Sequence, residues 1–168
     1  PVRRVRWGAL QGVDHDSLDH VVADLACSSG PWRVHEPIET LGPDAVLHVI
    51  DPVPGFDPSE HEREFPGRYA FHQALSLDVL GDLPPMDAAL IDGDHNWYTV
   101  FHELRLITEG ARRHGAPLPL LVLHDVGWPY GRRDLYYDPD NVPAEHRRPW
   151  AHQGMRPGNP GLVGGGGL

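Results

Sequence analysis

An α/β fold with a doubly wound, mostly parallel sheet is predicted by three observations. Short apolar runs with β-branched or aromatic content alternate with helical patterns. Three of these runs end in chemistry-bearing residues, "LHVID", "AALIDGDH" and "LPLLVLHD". The 168 residues form one domain, 1–168, long enough to bury a core without staples.

The first forty residues admit two registers. In one, "VVADLAC" is the first strand and "DLACSSG" a glycine loop in which Ala26 stands where a glycine is expected. In the other, Ser17 caps an amphipathic helix with an apolar face of Leu18, Val21, Val22 and Leu25, and "PWRVHE" is the first strand. Helical period fits those four positions better than strand alternation, which favours the second register. Its cost is the very short link "PIETLGPD" before the next strand, where a crossover helix hardly fits.

Four further strands are expected at "AVLHVID" (45–51), "RYAFHQA" (68–74), "DAALID" (87–92) and "LPLLVLHD" (118–125). "PSEHERE" supplies a turn or two of helix before the second of these, and "LSLDVLGDL" a short helix after it. A longer helix precedes the last strand, with Val100, Phe101, Leu104, Ile107 and Ala111 on one face and Gly115 as its C-cap. From Trp128 the text turns to Pro, Gly, Arg and aromatics without period, and 143–168 is expected to be a flexible or substrate-loop tail. The aromatic part, Trp128 to Tyr137, is expected to pack over something, because such side chains are costly to leave in water.

Acidic residues number 24 against 14 basic, a formal charge of -10, which argues against a nucleic-acid partner. No run approaches the roughly 20 apolar residues of a membrane helix. One cysteine, Cys27, forms no internal disulfide, and the N-terminus lacks an apolar signal core, so a cytoplasmic protein is expected.

In a parallel α/β sheet, ligands bind beyond the carboxyl ends of the strands. Asp51, Asp92 and the pair His124-Asp125 stand at such ends on three strands. Carboxylates with an imidazole and open positions suit Mg²⁺ or Mn²⁺ better than a structural zinc. Asp94 reads as an N-cap of the following helix, and His95 as a general base close to Asp92. The remaining histidines, such as His15, His20, His61, His114, His146 and His152, fall in polar stretches and carry no individual signal.

"DAALIDGDHNWYTVFHEL" followed by "LLVLHDV" resembles the class I S-adenosylmethionine-dependent methyltransferases, in the branch that includes sugar and macrolide O-methyltransferases. The likeness implies a Rossmann-like three-layer fold and an O-methyltransferase acting on a small-molecule hydroxyl, of a sugar or a natural-product glycoside. It implies S-adenosylmethionine held by Asp51 at the ribose, by Ser76 near the adenine and, in the favoured register, by Glu36 at the head of the glycine loop. It further implies Mg²⁺ or Mn²⁺ held by Asp92, His124 and Asp125, with His95 as catalytic base. Two features depart from the family. Neither "DLACSSG" nor "EPIETLG" has the first glycine of the loop, and "GLVGGGGL" stands where two last strands would follow, so a shortened sheet is expected. An apolar last strand left at an edge would call for a homodimer or a covering tail. The altered loop supports a degenerate, methyltransferase-like binding or scaffold domain as the alternative. A helical metal-dependent phosphohydrolase, suggested by His124-Asp125 alone, fits poorly after the strand "LPLLVL".

Overall fold

A computed structural model describes residues 20–24, 38, 41–124, 126–127, 131–136 and 138–149. Five strands form one sheet in the order β3-β2-β1-β4-β5: β1 (His20–Asp24), β2 (Val46–Ile50), β3 (Tyr69–His72), β4 (Ala88–Ile91) and β5 (Leu120–Leu123). All four pairings are parallel. The strand order runs outward in opposite directions from the β1–β4 pair, which makes that pair the switch point of the sheet.

β1 corrects the favoured register. Residues expected on a helix, Val21 and Val22 among them, lie in the central strand, paired with β2 on one side and β4 on the other. Local period favours a helix there, but a strand with two neighbours is decided by pairing on both sides. The connection from β1 to β2, residues 25–45, is then long enough for the crossover that parallel pairing needs. "DLACSSG" begins at the end of β1, so Asp24 rather than Glu36 heads the loop after the first strand. Glu36 lies outside the described residues, as does the whole of "PWRVHE".

Alternation within the strands feeds two apolar clusters. Leu47 and Val49 of β2 join Val21, Tyr69 and Ala88 in one, completed by Ile38, Leu41 and Ala45. Ile50, Ala89 and Ile91 join Leu80, Leu83, Met86 and Ile107 in the other. Arg68, just ahead of β3, ties the approach to β2 in place by donating to the carbonyls of Ile38 at 2.9 Å and Gly42 at 2.8 Å.

Among the described residues, three helices of four residues or more lie between the strands. α1 (Pro58–Glu64) starts at Asp57, whose carboxylate accepts from the Ser59 amide, with Pro58 in the first turn where no amide is needed. α2 (Ser76–Val79) is a single turn. α3 (Trp97–His114) is capped by the Asn96 side chain and ends at Gly115, whose φ of 65° is the left-handed cap conformation expected of a glycine. The buried stripe of α3 is Thr99, Glu103, Ile107 and Ala111; Ile107 and Ala111 are as expected and Leu104 packs partly buried against the second cluster, but Thr99 and Glu103 are buried where Val100 and Phe101 were expected. Phe101 is instead 46% exposed and stacks on Trp97, with ring centroids 5.0 Å apart. A stripe containing Glu103 is permitted because the Ser76 hydroxyl donates to its carboxylate at 2.5 Å, docking α2 on α3.

The chain after β5 returns to the start of α3. The Asn96 side-chain amide donates to the carbonyls of Arg133 and Leu135, and the Trp97 amide to that of Arg132. Leu135 and Tyr136 are buried, in line with the expected packing of this aromatic segment; Trp128, Tyr130 and Tyr137 lie outside the described residues. At the head of the segment expected as a flexible or substrate-loop tail, Ala144–His146 form a 3-10 turn, Arg147 donates to the Val142 carbonyl, and the Arg148 amide donates to the Tyr136 hydroxyl; residues 150–168 lie outside the described residues. Among the described residues no helix is long and apolar enough to cross a membrane.

Candidate metal centre

Strand register builds the site. Ile50 of β2, Asp24 of β1, Ile91 of β4 and, on β5, Leu123 share one row across the sheet. The residues that follow on β2, β4 and β5 are Asp51, Asp92 and His124, held level by ladder bonds from the Asp51 amide to the His72 carbonyl and from the His124 amide to that of Ile91. All three therefore stand at the carboxyl edge, where open parallel sheets bind ligands.

Asp92 is 6% exposed and faces two imidazoles through one oxygen. His124 Nδ1 lies 2.8 Å from Asp92 Oδ1, and His95 Nε2 lies 4.0 Å from the same atom. One donor atom from each of the three falls within 4.8 Å of the other two, a spacing from which a single cation is reached by small side-chain adjustments. Among the described residues the donors are one carboxylate and two imidazoles, Asp92 and His124 of the expected metal ligands together with His95, which was expected as the base. Asp125 lies outside the described residues.

The segment carrying His95 is pinned on both sides. Asp94 accepts from the Asn96 amide at 2.9 Å and from the Thr99 hydroxyl at 2.7 Å, while Asn96 Oδ1 accepts from the Tyr98 amide at 2.9 Å. The cap of α3 is thus Asn96, with Asp94 closing the turn before it, and His95 sits in the loop between them. Burial pushes the Asp94 carboxyl above its ordinary range, and the bonds from Thr99 and Asn96 oppose that shift. Sequence reasoning missed Asn96, although the spacing Asp-x-Asn-x-x-Thr, two short acceptors before a helix, is a capping pattern.

The expected cofactor residues fare differently. Asp51 is 2% exposed, and its Oδ1 accepts from the Val53 amide at 2.8 Å, which turns the chain sharply after β2. A buried carboxylate at this strand end fits a ribose, whose hydroxyls are donors. Ser76 also lies beyond a strand end, but its hydroxyl is engaged by Glu103 rather than turned to a ligand. Two strand spacings separate Asp51 from Asp92, roughly 10 Å, enough to keep a nucleoside and a metal apart at one edge.

Comparison of the chain with protein-family models, curated proteins and solved structures returns no match. The resemblance therefore rests on the motifs and on the geometry they adopt.

Proposed function

We propose that the chain is a metal-dependent methyltransferase domain of the Rossmann-like, three-layer kind, using S-adenosylmethionine. In particular, we read it as an O-methyltransferase for a hydroxyl of a sugar or natural-product glycoside. One observation carries the reading: buried carboxylates at the ends of β2 and β4 flank the switch point of a parallel sheet, and the second of them faces two imidazoles.

In this reading Asp51 accepts from the ribose hydroxyls, at the edge where β2 and β1 end. Asp92 and His124 would hold a divalent metal, which would supply Lewis-acid stabilisation of negative charge on the substrate hydroxyl. In the reaction a carbon–oxygen bond forms as the sulfur–methyl bond breaks, and the hydroxyl proton leaves to a base at this edge or to solvent. The family likeness gives His95 the part of that base. The packed start of α3, with Arg133 4.0 Å from the Trp97 ring centre, borders the same edge and would orient the substrate. A homodimer through the outer side of β5, near exposed Leu118 and Leu120, belongs to the proposal and is checked by light scattering.

Ala26 in place of a loop glycine favours one alternative, a binding or scaffold domain of the same fold. Calorimetric titration with S-adenosylmethionine decides first: no binding with or without divalent metal sinks the cofactor reading. Binding without methyl transfer to any of a panel of glycosides leaves the scaffold.

A further inference from the structure

The geometry points to His95 as a metal ligand, not a free base, so that Asp92, His95 and His124 form a two-imidazole, one-carboxylate centre that selects a borderline transition-metal ion over Mg²⁺. The inference rests on the proposed metal site and names its third ligand and the class of ion it takes.

Three features support it. His95 Nε2 is 4.0 Å from Asp92 Oδ1, too far for a hydrogen bond, and one ligand atom from each of Asp92, His95 and His124 lies within 4.8 Å of the other two. Donors of one ion are separated in this way, because the ion occupies the space between them. The His95 side chain is only 11% exposed, and its loop is fixed by Asp94 before the helix and by Asn96, itself 2% exposed, at the cap. Such pinning presents an imidazole at a set position. Finally, the three donors come from the end of β4, the loop after it and the end of β5, so they converge from different segments.

The ion follows from the donors. Imidazole nitrogen suits Zn²⁺, Fe²⁺, Co²⁺ and Ni²⁺, and two imidazoles with one carboxylate and open positions is a known arrangement for such ions. Mg²⁺ prefers an all-oxygen octahedron and parts reluctantly with its water. With His95 on the metal, the hydroxyl proton is released to solvent.

The test is direct binding of Co²⁺, Zn²⁺ and Mg²⁺ to the metal-stripped full chain, by calorimetry and by the visible absorption of Co²⁺. The expected result is one Co²⁺ or Zn²⁺ per chain, with Mg²⁺ weaker by at least roughly tenfold. His95→Ala and His124→Ala should each weaken Co²⁺ by at least about tenfold, since loss of even an outer partner of a ligand costs ~10–100-fold. His95→Gln, which keeps bulk, serves as a second variant, with circular dichroism verifying the fold. His72→Gln removes one member of the other histidine pair, His48 and His72, and should leave Co²⁺ binding unchanged. Wild-type Co²⁺ affinity in both His95 variants, or Mg²⁺ bound as tightly as Co²⁺, overturns the inference. Loss of Co²⁺ binding in His72→Gln overturns it too, by moving the site. Titration of the stripped chain with S-adenosylmethionine is independent of these arms: failure there sinks the methyltransferase reading and leaves the metal centre standing.

Discussion

At the end of β2, Asp51 follows "LHVI" and is 2% exposed; at the end of β4, Asp92 follows "AALI" and is 6% exposed. The two arise from the same pattern, an apolar strand closed by a carboxylate at the edge where ligands bind. Their surroundings differ. Asp51 Oδ1 takes the amide of Val53, two residues on, whereas Asp92 Oδ1 meets His124 from a neighbouring strand and His95 from its own loop. One carboxylate therefore shapes a turn, and the other lies in a cluster of groups that could hold a cation. What separates them is not the strand but what the fold brings across from elsewhere.

Substituting each carboxylate in turn is the strongest way to break this comparison. Asp92→Asn should lower transition-metal affinity by about 10²-fold or more, beyond the ~10–100-fold cost of an outer-sphere loss. Asp51→Asn should leave it unchanged. Equal losses in the two variants, measured by calorimetry, would erase the distinction between the two strand ends.

Next in size is an effect on stability. Ser76 belongs to the Asp51 half of the edge by sequence, yet its hydroxyl serves Glu103, which is 0% exposed. Removing a partner of a buried charged group costs about 1.5–3 kcal/mol. Ser76→Ala should therefore lower the Tm by roughly 3–12 °C, at about 2–4 °C per kcal/mol for a chain of this size. Calorimetric melting checks this, and an unchanged Tm would show that Ser76 is available to a ligand after all.

The cofactor half is sharpened by Asp51→Ala. S-adenosylmethionine should bind more weakly by about 1–3 kcal/mol, or roughly 5–150-fold, the scale of one hydrogen bond to a charged group. Metal affinity should not move. Equilibrium dialysis with labelled cofactor reads the first and a Co²⁺ titration the second.

The smallest expected effect lies at the outer strand, beyond Asp51. His72 closes β3 with its Nε2 3.1 Å from His48 Nδ1, and burial holds its imidazole below the ordinary value of 6.5. The unfolded chain then takes up a proton at this position before the folded one does. Its contribution to stability is present in full above about pH 6.5 and is lost as the pH falls from there toward the folded value. Melting at about pH 7.5 and pH 5.5 should show a larger acid loss in the wild type than in His72→Gln. Equal losses would show that the pair does not titrate on unfolding.

Much of the fold was legible because it is written in local pattern. The strands at β2, β3, β4 and β5 follow from apolar runs of strand length, and α3 from helical period closed by Gly115, since each signal lies within one element. β1 was legible only as one of two registers: Val21 and Val22 also fit helical spacing, and their strand state depends on β2 and β4, which lie far away in sequence. The first half of the buried stripe of α3 was misplaced for a related reason, while Ile107 and Ala111 were read correctly. A glutamate is a poor core residue until a hydroxyl from another helix meets it, and no window around Glu103 contains Ser76.

The candidate site divides in the same way. Sequence alone determined that Asp51, Asp92 and His124 end strands, because the change from apolar to polar marks where burial stops, and a parallel sheet puts all such ends on one edge. It also set His95 close to Asp92, three residues being too few to separate them. Only the tertiary structure decided that His124 reaches Asp92 at 2.8 Å and that His95 joins the same cluster, while Ser76 turns inward to Glu103. Strand order and register fix which side chains share an oxygen, and these are set by long-range pairing in which each strand is chosen by its neighbours, information that no stretch of sequence holds by itself.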